Sequence, residues 1–325
     1  MLTGFVVSAG LLVLAARRVD LGEAWQTARG AHLGWLVFGV VGVNVGLLGM
    51  AMRWRVLSAH PDAVTPRVLG YLQAILCAQG VNNVLPARSG DIVRIAWLGR
   101  ATAAGPGAAT ASMLADRALD VMALGLVIGV GFAFVPSETW VTVVGLAALL
   151  GCLVLVVGWI VCRRFALNRA GRPAALPSGR LRREFTRFAV TLGGLVTWER
   201  VWRAAGWTAM IWGTWTIGAW AVAQSVGIDV SPLEILFVGA VLNVGLAIPS
   251  SPGFVGTYQW LIIAGLGLFA VGSTQAFAYS VVLQLTWFVP QTVVGLLLLP
   301  RLGMSFRTLR RSEGQPVAGD MGSRG

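Results

Sequence analysis

The chain has 325 residues, 56% of them hydrophobic and 12% charged, with a mean hydropathy of +0.76, which excludes the polar coat of a soluble domain and implies an integral membrane protein. All 25 basic residues are arginine, and they outweigh 13 acids for a formal net charge of +12. The arginines cluster beside apolar stretches, as the positive-inside rule and anionic headgroups favour, and no recognised nucleic-acid-binding pattern accompanies them, so the expected partners are membrane lipids and not nucleic acid.

In chain order, residues 2–16 are apolar but shorter than the roughly 20 residues that a perpendicular membrane helix needs. A cleaved signal peptide fits them poorly, because no basic residue precedes the run while Arg17 and Arg18 follow it. Across residues 21–30, Leu21, Trp25 and Ala28 recur at helical spacing, giving either a helix lying flat in the interface or a short connecting helix. Full spans are predicted at about 33–52, 112–134, 139–162, 204–224 and 277–299. Two further apolar regions, 67–98 and 234–271, are interrupted by Leu85-Pro86-Ala87-Arg88-Ser89-Gly90-Asp91 and by Ile248-Pro249-Ser250-Ser251-Pro252-Gly253. A helix loses backbone hydrogen bonds at proline, and hydrocarbon offers no water to replace them, so such breaks survive only where protein or an aqueous cavity shelters them. The expected fold is all-α, a polytopic transmembrane bundle with two interrupted, re-entrant-like helical hairpins. It forms a single transmembrane domain over 1–300, followed by a cytoplasmic, disordered tail over 301–325.

Charge sets the orientation. Residues 163–187 carry Arg163, Arg164, Arg169, Arg172, Arg180, Arg182, Arg183 and Arg187 against one acid, Glu184, which assigns this loop to the cytoplasm together with the tail bearing Arg301, Arg307, Arg310 and Arg311. The arginine-free connections Pro136-Ser137-Glu138 and 227–232 then belong outside. If each interrupted region enters and leaves on one side, the halves 33–134 and 204–299 become inverted copies, with Pro86 and Gly90 matched by Pro249 and Gly253, a recurrent transporter plan. Arg17, Arg18 and Arg29 oppose the scheme, because it puts them outside, partly offset by Asp20 and Glu23.

Cysteine and histidine chemistry is sparse. Cys77, Cys152 and Cys162 lie in or beside apolar stretches without CxxC spacing, His32 and His60 sit at span edges, and no nucleophile–base pair assembles, so no catalytic residue, metal site or cofactor is expected.

The stretch Asn82-Asn83-Val84-Leu85-Pro86-Ala87-Arg88-Ser89-Gly90-Asp91, followed by Arg94 and by Asp116-Arg117-Ala118-Leu119-Asp120, resembles the first conserved block of the lysylphosphatidylglycerol synthase transmembrane-region family, whose members are often called flippase-like. Pro249-Ser250-Ser251-Pro252-Gly253-Phe254-Val255-Gly256-Thr257-Tyr258 resembles the second. Where many relatives carry glutamate soon after the second glycine, this chain has Gln259, which puts in doubt any role needing a carboxylate there. The stretch after Arg301 is too short for the synthase's soluble aminoacyl-transfer domain, so aminoacylation of lipid is not expected.

The residues themselves leave two readings open at each block. Arg88 and Arg94 offer planar forks that grip phosphate bidentately, and free backbone N–H groups beside the Pro86 break would add to an anion site; alternatively Arg88 and Asp91 neutralise each other and hold the hairpin shut. Asp116 and Asp120 share a helix face from which Arg117 is offset, and Arg88 or Arg94 is a plausible partner for them across the fold, against a purely interfacial position. Ser250, Ser251, Thr257, Tyr258 and Gln259 supply neutral hydrogen-bonding groups that either line a headgroup passage or complete a packed helix break at Pro252, Gly253 and Gly256. The series Trp198, Trp202, Trp207, Trp212, Trp215 and Trp220 reads as interface anchoring and bundle packing, or as a stacking platform for sugars. The function expected is binding and translocation of an anionic phospholipid or polyprenyl-phosphate-linked lipid in the cell membrane, downhill or ion-coupled because no GxxxxGK[ST] loop is present. The rival is a non-transporting accessory subunit of a membrane glycosyltransferase or cell-envelope complex, with a membrane-protein partner or a second copy bound, and an integral-membrane enzyme is the third reading.

Overall fold

A computed structural model describes residues 2–16, 19–59, 64–85, 89–102, 105–131, 197–246 and 251–303, with scattered helical residues between 143 and 164 and at 188. The described residues are mostly helical, joined by short turns, and include no strand. Pro86, Arg88, Pro249, Ser250, the Pro136–Glu138 connection, nearly all of the basic stretch 163–187 and the tail after 303 lie outside them. The elements are α1 (Leu2–Ala16), α2 (Leu21–Arg29), α3 (Leu33–Ser58), α4 (Val68–Val84), α5 (Gly90–Ala101), α6 (Gly105–Gly131), α7 (Trp198–Ser225), α8 (Pro232–Gly245), α9 (Thr257–Gly267) and α10 (Ser273–Leu298). A 3-10 turn at Pro252–Phe254 precedes α9.

Local chemistry sets several of these boundaries. The Asp20 carboxylate accepts from the Gly22 and Glu23 N–H groups and starts α2. Before α8, Ser231 and Glu234 form a reciprocal capping box with Pro232 in the first turn, where its missing N–H is not needed.

The distribution of polarity is the reverse of a soluble protein's. Arg53 and Asp116 are 0% and 1% exposed, whereas Leu33 is 71% and Leu297 72% exposed. Valine and leucine face outward along α3, α10 and the helical residues 149–161, as a lipid-facing surface requires and water would penalise. Among the described helices, α3 and the α10 segment (Ser273–Leu302) are long and apolar enough to cross a bilayer. Helices α6 and α7 match them in length but carry Asp116, Arg117 and Asp120, and Glu199, Arg200 and Arg203.

The bundle centres on α3 and α7. Gly39, Gly42, Gly46 and Gly49 form one face of α3, and they meet Val222, Gly218, Thr214 and Ile211 in reverse order, so the two helices are antiparallel. A Cβ on Gly218 would lie 2.5 Å from the Val43 nitrogen; only small residues permit this approach, the recurring device of helix pairs in lipid. Both interrupted regions fold as hairpins. Gly90 meets Ala78 while Trp97 covers Gly70, pairing α4 antiparallel with α5. Leu261 meets Gly245 while Val238 meets Gly265, pairing α8 with α9 in the same way. Helix α3 packs on α4 and α6 as α7 packs on α8 and α10, and α4 runs along α10 as α8 runs along α6. Helix α1 packs on α9, and α2 on α10.

Pro290 stands inside α10, where it has no N–H for the Thr286 carbonyl. The carbonyl accepts instead from the Asn44 side-chain amide of α3 at 2.9 Å, and the Asn44 oxygen accepts from the Gln291 amide at 3.2 Å. Asn44→Leu therefore leaves a buried carbonyl unpaired and is expected to cost about 1–3 kcal/mol. Adding Pro290→Ala returns a backbone donor to Thr286 and recovers most of that loss; melting temperatures of both single variants and the double variant in one detergent check it, and additive losses would reject the clamp.

Candidate functional site

The interrupted regions meet. Helix α4 ends at Val84 and α5 begins at Gly90, while α8 ends at Gly245 and α9 begins at Thr257, so neither region is a continuous helix. The end of α4 touches the Pro252–Phe254 turn, and a Cβ on Gly253 would lie 3.7 Å from the Asn83 carbonyl oxygen. Two polar groups of side chains flank this junction.

The charged group lies on α3, α5 and α6. Asp116 accepts from Arg53 Nε at 2.7 Å and from Arg94 Nη2 at 2.8 Å, and Arg53 Nη1 also donates to Asp120 at 2.7 Å and to the Thr208 hydroxyl at 3.1 Å. Spacing of four residues on α6 aims both aspartates at Arg53, while Arg117, offset by a quarter turn, donates to Asp91 of α5 at 3.0 Å. The Arg94 guanidinium lies 4.3 Å from the centre of the Trp54 ring, which belongs to an aromatic cluster with Tyr71 and Trp97. Three arginines thus balance three aspartates. Arg53 Nη2, Arg94 Nε and Arg117 Nε are buried without a hydrogen-bond partner among the described residues.

The neutral group lies on α4, α9, α10 and the turn. The Asn82 side-chain oxygen Oδ1 accepts the Gly90 N–H at 2.7 Å, satisfying a donor at the start of α5, and the Asn83 side-chain amide donates to the Thr292 hydroxyl at 2.7 Å. Gln259 accepts the Gly256 N–H at 2.7 Å and donates to Gln284 at 2.6 Å, and Gln284 donates to the Gly253 carbonyl at 2.6 Å. Gly256 has φ +90°, and a Cβ there would lie 2.1 Å from the Ser8 carbonyl oxygen, so glycine is required twice over. Ser8 of α1 accepts the Ser251 N–H at 2.8 Å and lies 3.3 Å from the Thr257 hydroxyl, while the Ser251 hydroxyl donates to the Val255 carbonyl. Tyr258 is buried and accepts weakly from the Trp287 indole at 3.5 Å. Gln79, Gln291 and Asn44 continue the series between α4, α10 and α3.

Of the residues singled out in the sequence, Asp91, Arg94, Asp116, Arg117 and Asp120 gather in the charged group, and Asn82, Asn83, Ser251, Tyr258 and Gln259 gather around the junction. Pro86, Arg88, Pro249 and Ser250 fall outside the described residues. Arg53, Asn44, Gln284 and Gln291 were not singled out. Their signal was a polar side chain within an apolar span, and Arg53 also opens the Arg53-Trp54-Arg55 triplet.

Arg53 is the hub of the charged group, since its loss strips Asp120 of its described partner and leaves Asp116 with Arg94 alone. Arg53→Met is expected to destabilise the protein by roughly 3–5 kcal/mol, because the part-buried Asp120 carboxylate loses its described partner and the fully buried Asp116 carboxylate loses one of its two. Arg203→Met, which removes an exposed pair with Glu199, should stay within about 0.5 kcal/mol. Chemical or thermal unfolding in detergent reads both, and equal losses would remove the hub assignment.

Among curated proteins, none matches the chain. The family model described as the lysylphosphatidylglycerol synthase TM region matches residues 1–295, so this chain, with its lipid-facing helices and its two meeting helix breaks, belongs to that family of membrane proteins.

Proposed function

We propose that the protein binds an anionic phospholipid or polyprenyl-phosphate-linked lipid and carries it between leaflets, as a multi-pass protein of the cell membrane and not as an enzyme. The observation that carries this reading is the junction of the two helix breaks inside the bundle. Broken helices in lipid survive where they line a cavity or are sheltered by protein, and their free backbone groups suit a polar headgroup. In sequence Arg88 falls between Leu85 and Ser89, the described residues nearest the first break, which suits it to a headgroup phosphate. The antiparallel α3–α7 pair and the matching contacts of the two halves support an inverted repeat whose hairpins enter from opposite sides of the membrane. The basic stretch 163–187 and the tail then lie in the cytoplasm.

One observation favours the rival reading of an accessory subunit bound to a membrane-protein partner. The charged and neutral groups largely satisfy one another, as structural networks do.

Proteoliposomes with fluorescent lipids of several headgroups separate the two readings: headgroup-selective scrambling supports transport, and none with any lipid supports the accessory role. Within that assay Arg88→Lys should slow transport about tenfold or more although charge is kept, since an ammonium lacks the bidentate fork. Normal transport by Arg88→Lys combined with a lowered melting temperature for Arg88→Ala would reject the ligand role in favour of an ion pair. For the orientation, a cysteine introduced at Arg172 should resist impermeant reagents in intact cells and react after permeabilisation; labelling of intact cells would overturn it.

A further inference from the structure

Helix α2 spans an apolar groove. Its Asp20 N–H donates to the Thr274 hydroxyl at the start of α10, and just beyond its other end the His32 N–H donates to the Ser225 carbonyl of α7. Between these fixed ends α2 turns Leu21, Trp25 and Ala28 toward a groove of about 520 Å³ floored by α3 and α10. This volume lies within the roughly 300–1,000 Å³ of small-molecule sites. The floor includes Leu36 and Val40 of α3, and Val281 and Leu285 of α10. Arg29 is the one charged side chain in the lining, and its guanidinium stands 5.6 Å from the centre of the Trp25 ring. Trp25 is 62% exposed, so the apolar stripe of α2 lacks the protein cover that such a stripe ordinarily finds.

We infer that this groove seats the hydrocarbon chain of a net anionic phospholipid whose headgroup is held by Arg29, an inference that rests on the lipid-carrier reading above. Three features choose the occupant. The protein belongs to a membrane family and its outer surface faces lipid, so hydrocarbon chains are the surrounding solvent. The lining is apolar apart from Thr286 and one cation, matching an apolar tail with an anionic head. Tryptophan beside arginine on a short amphipathic helix is the chemistry of the headgroup boundary, where a phosphate would sit above the chain. At its deep end the groove reaches Thr286, whose carbonyl is held by Asn44, so a chain lying in it ends beside the neutral polar side chains of α3 and α10.

The test uses the full chain in vesicles of phosphatidylglycerol or phosphatidylcholine, each doped with the matching lipid bearing a photoreactive diazirine in its acyl chain. Irradiation should attach phosphatidylglycerol to peptides containing Leu36, Val40, Val281 and Leu285. Arg29→Gln should lower the preference for phosphatidylglycerol over phosphatidylcholine about fivefold. Val281→Trp and Ala28→Trp, which fill the groove from opposite walls, should each abolish attachment there, and melting curves identify a variant that fails to fold. Attachment spread evenly over the lipid-facing surface, equal yields from the two lipids in the wild type, or covalent dimers through the groove in place of lipid adducts would overturn the assignment. Scrambling measured on the same vesicles tests the carrier reading separately. Groove attachment without scrambling retires the carrier and keeps the lipid seat, and scrambling without groove attachment does the opposite.

Discussion

A polar group taken into the bilayer has no water to turn to, and the demand that other parts of the chain answer it organises the rest of the structure. Pro290 shows it at the smallest scale. It frees one carbonyl in α10, and Asn44 of α3, 242 residues away from Thr286 in sequence, supplies the missing donor. The same demand explains why the breaks are not isolated defects. Asn82 closes the start of α5, Gln259 closes the start of α9, and Gln284 reaches from α10 to the Gly253 carbonyl. The Gln259 bond is local to α9, but the Asn82 and Gln284 bonds that repair the breaks also tie separate elements together, so irregular backbone and tertiary packing share contacts.

Close helix approach follows from the same condition. Lipid offers no hydrophobic drive to bring apolar helices together, so association rests on contact and on hydrogen bonds. The glycine face of α3 brings it against α7 along most of its length, and Arg53 continues that face by one further turn, where it meets Thr208. The guanidinium is thereby held at a tightly packed crossing of α3 and α7, with α6 supplying its counter-charges. Arg94 reaches the same carboxylate from α5 and lies over Trp54, which fixes the second helix of the first hairpin to the span that precedes it.

Local signals in the sequence were enough to find the breaks, because proline and glycine act on their own backbone and need no knowledge of the fold. The shared face of Asp116 and Asp120 and the offset of Arg117 were legible for the same reason, since helical periodicity sets them. The choice between open alternatives was not. Asp116 finds Arg53 across 63 residues, and nothing near either residue names the other. Arg94 reaches Asp116 only through the packing of α5 on α6, which no local signal in the sequence encodes. The amphipathic spacing of α2 was visible, but its role depended on which helices stand opposite, and only the packing of α10 and α3 shows that its apolar face spans a groove. The predicted spans at 112–134 and 204–224 begin several residues late against α6 and α7, since the Gly105-Pro106-Gly107 opening of α6 and the charged first turns of α7 lie outside an apolar run and are nevertheless helical.

The two hairpins are joined to the spans that follow them in chemically different ways. Asp116 is the twelfth residue of α6, and Gln284 is the twelfth of α10. Each receives a side chain from the early turns of the preceding helix, Arg94 in α5 and Gln259 in α9. At matching places, then, one hairpin is held by an ion pair and the other by a pair of amides. Parting the ions would leave the Arg94 guanidinium uncompensated, and Asp116 with Arg53 alone, in a medium that barely solvates charge, a penalty of several kcal/mol. Parting the amides leaves polar groups that a lipid headgroup or a few waters can satisfy, at about 1–3 kcal/mol when left bare. If the protein carries lipid as proposed, the amide bonds of the α9 hairpin are the ones a polar headgroup could replace at least cost, and the ion pairs of the α5 hairpin with Arg53 are the ones it would leave intact.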